Sequence, residues 1–249
     1  MSLQGKIIAL TGGASGIGLA TAKLVSSRGA TVSIADWDTA ALASAESFFS
    51  ERKVQFSTTK LDVTERAAVD AWIEGVVKEF GRLDGAVNSA GVIGKAHGIT
   101  PLTELDDDEW HRIIGVNLSG LMYSLRAELR EISEGGSIVN LSSVQGVMGF
   151  PGSAAYTATK HGVVGLTRAA AKENGERNIR INALAPGSII TPLLLKAQQQ
   201  NQDEGKNNPS ALKREGTAEE MANIIVFLLG PESSYVTGSI YGADGGWDC

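Results

Sequence analysis

Thr11-Gly12-Gly13-Ala14-Ser15-Gly16-Ile17-Gly18 follows a short apolar run, Ile7 to Leu10, and leads into a helical pattern through Leu19, Leu24 and Val25. A glycine-rich turn between a strand and a helix lets the backbone approach a pyrophosphate, and the helix that follows offers unpaired N–H groups to the anion. A second run, Thr31 to Ala35, ends at Asp36, 18 residues after Gly18. That spacing suits a carboxylate that accepts hydrogen bonds from a free ribose 2′-hydroxyl and repels a 2′-phosphate. Neither Ser15 nor Trp37 supplies a cation for such a phosphate, so the pattern favours NAD over NADP. The competing reading of Asp36 is a cap on the next helix.

Outward from this turn, apolar runs alternate with helical periodicities. Val54 to Leu61, Leu83 to Asn88, Ser137 to Leu141, Ile179 to Leu184 and Ser239 to Gly242 join the first two as seven expected strands. Several are apolar on both faces, as in a parallel sheet covered on each side. Val69, Trp72, Ile73, Val76, Val77 and Phe80 form a helical stripe, with Thr64 as its expected N-cap. A further helix is expected from Asp106 to Ile132, where Asp107, Asp108 and Glu109 suit the positive end of its dipole. Another is expected from Ser153 to Asn174. The pattern predicts an α/β fold, a single doubly wound Rossmann domain over residues 1–249, with a seven-stranded parallel sheet flanked by helices. Gln198 to Asn208 reads as the least structured stretch. It lies inside 188–215, expected either as a solvated loop or as a substrate-binding lid.

Composition narrows the function classes. The chain has 249 residues, 30 of them Gly and only 6 Pro, so the glycine excess points to tight turns rather than low complexity. A net charge of −6 argues against nucleic-acid binding. No apolar run reaches the ~18 residues of a membrane helix, and the start of the chain reads as a strand rather than a signal segment. The single cysteine, Cys249, allows no intrachain disulfide. A cytoplasmic protein with no membrane partner is expected. His97, His111 and His161 have no ligand pattern around them, and no metal is expected.

Tyr156 and Lys160 are four residues apart in the helical segment Ala154 to Ala171, hence on one face. A phenol with a pKa of about 10 is a poor base at neutral pH, and a neighbouring ammonium favours its ionised form. Alone, the pair fits an ordinary amphipathic surface. The strand Ser137-Ile138-Val139-Asn140-Leu141-Ser142-Ser143 changes that reading, because it delivers serines to the strand end where ligands of such sheets bind.

Taken together these motifs resemble the classical short-chain dehydrogenase/reductase family over essentially the whole chain. They run in order: Thr11 to Gly18, Asp62-Val63, Asn88-Ser89-Ala90-Gly91, Asn117, Ser143, Tyr156, Lys160, and Pro186-Gly187-Ser188-Ile189-Ile190-Thr191. Ser89 departs from the family's usual second asparagine. The serine–tyrosine spacing selects Ser143 over Ser142. The resemblance implies that Tyr156 exchanges the alcohol proton, Lys160 lowers the tyrosine pKa and holds the nicotinamide ribose, Ser143 binds the substrate oxygen, and Asn117 positions a relay water. It implies cofactor contacts from Gly12, Ser15, Gly16, Ile17, Gly18, Asp36, Trp37, Asp62, Val63, Asn88, Ala90, Gly91, Pro186, Gly187, Ile189 and Thr191, besides Tyr156 and Lys160. For Asn88 a bracing role and for Asp62 loop capping remain open, as does a buried structural amide for Asn117. A homotetramer is implied too, with the two long helices pairing across one interface and Ile240 to Cys249 across another; Trp247 tucked into its own subunit is the alternative.

The expected substrate pocket comprises Ser143, Gln145, Met148, Phe150 and Tyr156, with Val92, Ile93, Val147 and Leu193 to Leu195 making it apolar and His97 a second polar candidate. Packing of the loops alone would also explain those apolar residues. The expected function is NAD-dependent interconversion of a secondary alcohol and a ketone on a small lipophilic substrate of steroid or terpenoid type. NADP-dependent reduction of 3-oxoacyl or other ketones is the alternative within the class. A non-redox lyase or cyclase, or a nucleotide-sensing scaffold, is the alternative outside it.

Overall fold

The computed structural model describes residues 2–201 and 209–248. Strands β1 (Ile7–Thr11), β2 (Thr31–Asp36), β3 (Phe56–Lys60), β4 (Leu83–Asn88), β5 (Ile132–Leu141) and β6 (Arg180–Pro186) alternate with helices α1 (Gly16–Ser27), α2 (Thr39–Glu51), α3 (Arg66–Phe80), α4 (Asp107–Ile114), α5 (Leu121–Glu131) and α6 (Ala154–Glu173). A two-residue strand β7 (Ile189–Ile190), helix α7 (Pro192–Gln200), strand β8 (Gly216–Thr217), helix α8 (Ala218–Leu229) and strand β9 (Ile240–Ala243) follow. Seven strands form one parallel sheet in the order β3-β2-β1-β4-β5-β6-β9, while β7 and β8 pair in a small second sheet that the apolar runs did not announce.

The sheet is buried on both faces, which explains the unbroken apolar runs. On one side Val25 of α1, Phe49 of α2 and Ile225 and Leu228 of α8 pack on Leu10, Ile34 and Val139. On the other, Val69, Ile73 and Val76 of α3 and Leu125 of α5 pack on Ala86, Ile138 and Ile181. The order reverses between β1 and β4, so the crevice at their carboxyl ends lies where doubly wound sheets bind ligands.

Three local expectations are corrected. Thr64 does not cap α3: Asp62 accepts both its N–H (2.9 Å) and its hydroxyl (2.7 Å), and the helix starts at Arg66 with no side-chain cap. The helix expected from Asp106 to Ile132 is broken into α4 and α5 by a wider π turn, Gly115–Gly120, and Ile132 already belongs to β5. Asp106 does cap α4, accepting from the Glu109 N–H at 2.9 Å. The stretch expected to be least structured, Gln198 to Asn208, begins as helix: α7 has Pro192 in its first turn and Thr191 as its cap, and it continues to Gln200. Residues 202–208 of that stretch lie outside the described residues.

Candidate active site

The glycine turn is shaped by close approach. Gly12 has φ +62°, and a Cβ there would stand 2.7 Å from the Ala90 backbone nitrogen. A Cβ on Gly18 would overlap the Gly12 carbonyl oxygen. Ser89, the residue that departs from the family pattern, donates its hydroxyl to the Thr11 carbonyl at 2.6 Å and so ties the end of β4 to the turn. Helix α1 starts here with neither a side-chain cap nor an acidic residue in its first turn, which leaves its N–H groups open to an anion. Thr191 closes the turn from the opposite side, its methyl 3.4 Å from where a Gly16 Cβ would be.

Asp36 ends β2 with one carboxylate oxygen accepting from the Ala14 N–H and the other from the Asp38 N–H, each at 3.1 Å. Asp38, not Asp36, caps α2. Trp37 beside it is 65% exposed. Lys60 stands over the Trp37 ring, its ammonium 5.7 Å from the ring centroid. Sequence reading missed this cation, because it sits on β3 and reaches Asp36 only through the parallel register that pairs the two residues.

Farther along the strand ends, Ser143, Tyr156 and Lys160 converge. The Ser143 hydroxyl accepts from the Gln145 N–H at 3.1 Å and stands close enough to Tyr156 to favour its ionised form. The Lys160 ammonium donates to the Leu141 carbonyl at 2.7 Å and lies 5.4 Å from the Tyr156 ring centroid. Ser142 instead donates to the Lys160 carbonyl at 3.0 Å, so its hydroxyl is tied to the backbone of α6. The expected lowering of the tyrosine pKa by Lys160 is not what these side chains produce by themselves. Desolvation pushes the Tyr156 phenol up to about 12, opposed only by the Ser143 hydroxyl. Burial pushes Lys160 down to about 8, which still leaves it mostly protonated at neutral pH.

A cleft of about 970 Å³ connects the turn to this cluster. Gly12, Ser15, Gly16, Ile17, Gly18, Asp36, Trp37, Asp62, Val63, Ala90 and Gly91 border one part of it. Ser143, Gln145, Phe150, Tyr156, Lys160, Pro186, Gly187, Ile189 and Thr191 border the rest. Asn88, Asn117 and Met148 do not. Asn88 points into the core, donating to Glu128 (2.9 Å) and to Asn140 (3.0 Å). Asn117 uses both ends of its amide on Val92, accepting from its N–H and donating to its carbonyl, each at 2.8 Å. Of the expected apolar lining, Val92, Ile93, Leu193 and Leu194 are present, but Val147 and Leu195 turn outward and are exposed. Trp247 meets Phe150 edge-on at 5.4 Å within its own chain and borders the cleft. Arg112 and His111, at the end of α4, border it too. The sequence held no clue to them, because only the approach of α4 to the loop after β4 brings them there.

The cradle at Gly12 and the open start of α1 fit the pyrophosphate of a nicotinamide dinucleotide. Among the described residues no three His, Cys, Asp or Glu side chains stand together as a metal site would need.

Similarity to known proteins agrees with this geometry. The family described as Enoyl-(Acyl carrier protein) reductase matches residues 12–248. Short-chain dehydrogenase/reductase ABA4 of Pyricularia oryzae is 56% identical over 251 residues, spanning 99% of this chain and 93% of that protein. Cyclohexanol dehydrogenase of an Acinetobacter species is 36% identical over 244 residues, spanning 97% and 94%. The crystal structure of levodione reductase superposes with a TM-score of 0.91 at 36% identity, covering 97% of both chains.

Proposed function

Because the chain belongs to the short-chain dehydrogenase/reductase family of oxidoreductases, we propose that it uses NAD to interconvert a secondary alcohol and a ketone on a small lipophilic ring substrate of steroid or terpenoid type. The observation that carries this reading is the meeting of Ser143, Tyr156 and Lys160 at one end of a cleft whose other end is the glycine turn and Asp36. Relatives named for cyclohexanol and for levodione are in keeping with a ring substrate.

When bound, the nicotinamide supplies the hydride acceptor or donor. Tyr156 handles the proton. With its pKa at about 12 it holds that proton at neutral pH, ready to give it to a ketone oxygen, and it takes a proton from the alcohol in the reverse direction. Ser143 hydrogen-bonds the same substrate oxygen and steadies charge that develops there. Lys160, whose ammonium is anchored on the Leu141 carbonyl beside the Tyr156 ring, would hold the ribose hydroxyls of the bound cofactor. Asn117 acts at one remove: by clamping Val92 it holds Gly91 beside Lys160 and orders that end of the proton path. Ile189 and Thr191 complete the cofactor wall.

We further assign residues 1–249 to one NAD(P)-binding domain, with 188–215 as its substrate lid. Leu193, Leu194 and Ala197 of α7 border the cleft in support of that. A cytoplasmic, tetrameric enzyme completes the proposal. The observation that favours NADP as second reading is Lys60 beside Trp37, a cation near the place a 2′-phosphate would occupy. The Asp36 carboxylate weighs more, because it lies at the crevice itself.

The test is nicotinamide absorbance with NAD and with NADP against a panel of cyclic secondary alcohols, for the wild type and Tyr156→Phe. NAD-dependent turnover should fall about a thousandfold in the variant, with NADH binding retained. Undiminished turnover in Tyr156→Phe overturns the proton assignment, and a preference for NADP overturns the reading of Asp36.

A further inference from the structure

Besides Ser143 and Lys160, two further polar side chains, His97 and Gln145, border the cleft near Tyr156. His97 is buried in the loop after β4, and its ring stands edge-on to the Tyr156 ring, with centroids 5.3 Å apart and planes at 81°. That loop is docked firmly: the Gly98 N–H donates to the Gly152 carbonyl at 2.9 Å, and Gly152, at φ +68°, has backbone within 2.6 Å of where a Cβ would stand. Behind His97 lies a second cavity of about 390 Å³, so the ring forms part of the partition between the two.

Gln145 reaches the same spot from the other side. Its amide oxygen accepts from the Thr157 hydroxyl at 3.0 Å, and its amide nitrogen lies 3.4 Å from His97 Nε2. In this orientation the amide turns its NH₂ toward the His97 ring. With the amide NH₂ turned toward it, His97 Nε2 is the acceptor and Nδ1 carries the proton. Burial also holds His97 below its usual pKa, in keeping with a neutral ring at pH 7. One amide hydrogen of Gln145 is left with no protein partner among the described residues. The cations nearby are already engaged: Arg112 donates to Glu109 (2.7 Å) and to the Ile93 carbonyl (2.8 Å), and Lys160 to Leu141.

We propose that His97 and Gln145 form a recognition pole for a second, uncharged oxygen of the substrate, so that the enzyme prefers a ring diol or hydroxy-ketone over the ring with a single oxygen. The proposal rests on the alcohol–ketone reading above and narrows it. Val92, Ile93, Phe150 and Trp247 bury the ring skeleton, and the second amide hydrogen of Gln145, its amide held by Thr157 and His97, takes an acceptor oxygen remote from the reacting carbon. Left without that oxygen, a buried donor loses its water and gains nothing in return, which is how such a site rejects the simpler ring. A carboxylate fits poorly, because no unengaged cation faces it.

The experiment compares kcat/KM for cyclohexanol and cyclohexane-1,4-diol, counted per carbinol, in the wild type, Gln145→Leu, His97→Leu and Thr157→Val. The ratio is the readout, so folding damage shared by both probes cancels. The wild type should favour the diol by about tenfold or more. The two leucine variants should bring the ratio close to one, mainly through KM, and Thr157→Val should lower it part of the way by freeing the amide to turn. Equal use of both probes by the wild type, or a preference that survives both leucine substitutions, overturns the pole and leaves the alcohol–ketone reading standing. Absence of turnover of either probe with either cofactor overturns that reading, and the pole with it.

Discussion

Glu128 on α5 is a carboxyl group in the middle of the core. It accepts from the Asn88 amide at 2.9 Å, Asn88 donates also to Asn140, and Asn140 donates to Thr167 at 3.0 Å, an uncharged chain of side chains beneath the strand ends. Burial pushes the Glu128 pKa from 4.5 up to about 8, with the Asn88 hydrogen bond opposing. The folded chain therefore holds this proton more tightly than the unfolded chain does. Glu128 stabilises the fold most fully below about pH 4.5, and that stability is lost as pH rises toward 8. Glu128→Gln should flatten the fall in Tm between about pH 5 and 8 and leave the variant the more stable of the two at the upper end. Thermal melts at several pH values measure this; a wild-type slope retained in the variant overturns it. Asn88 belongs to the same chain, which is why it serves the core and not the cleft. Its position at the end of a strand was legible in the sequence; the face its side chain takes depends on where Glu128 and Asn140 lie.

At the scale of elements, the strand–turn–helix at Thr11 to Gly18 is where local sequence and global fold agree most closely. Gly18 is required because the first turn of α1 lies against the backbone of the turn itself, with the Gly12 carbonyl where a Cβ would go. Gly18→Ala should lower stability by about 2 kcal/mol and weaken NADH binding at least tenfold, as read by melting and by fluorescence titration. Unchanged affinity would separate this turn from cofactor binding. Helix α3 shows the ordinary limit of such reading. Its buried stripe Val69, Trp72, Ile73 and Val76 was evident from periodicity. Its start was not, because a threonine that can cap a helix can equally bond a nearby aspartate, and Asp62 lies two residues away. The π turn at Gly115–Gly120 was invisible for a related reason: the helical pattern continues through it, and only the packing of Gly120 against Val63 shows how closely α5 meets its neighbour. Helix α7 was masked by a polar, glutamine-rich composition, although its cap Thr191 and first-turn Pro192 are ordinary start signals.

For the whole molecule, the sheet ends on one side at β9, whose outer edge has no strand paired to it among the described residues. Exposed strand edges invite pairing with another chain, and the proposed tetramer would cover this one with β9 and the tail of a second copy. Light scattering in solution should give four times the mass of one chain, and a monomeric mass would remove that part of the proposal. Within one chain Trp247 packs against Phe150 beside the cleft.

The sequence alone determined the layered α/β fold, the glycine turn between β1 and α1, the acidic end of β2 and the placing of Tyr156 and Lys160 on one helix face. Each of these is written in local terms: the period of apolar residues, glycine where backbone must approach backbone, and fixed spacing along one helix. Tertiary structure alone decided which polar side chains face the cleft and which the core. It turned Asn88 and Asn117 to the protein's own groups, set Lys60 across from Asp36, and brought His97 to Gln145 from a loop 48 residues away. Those pairings depend on strand register and loop docking, and both are settled by the burial of surfaces far apart in the chain.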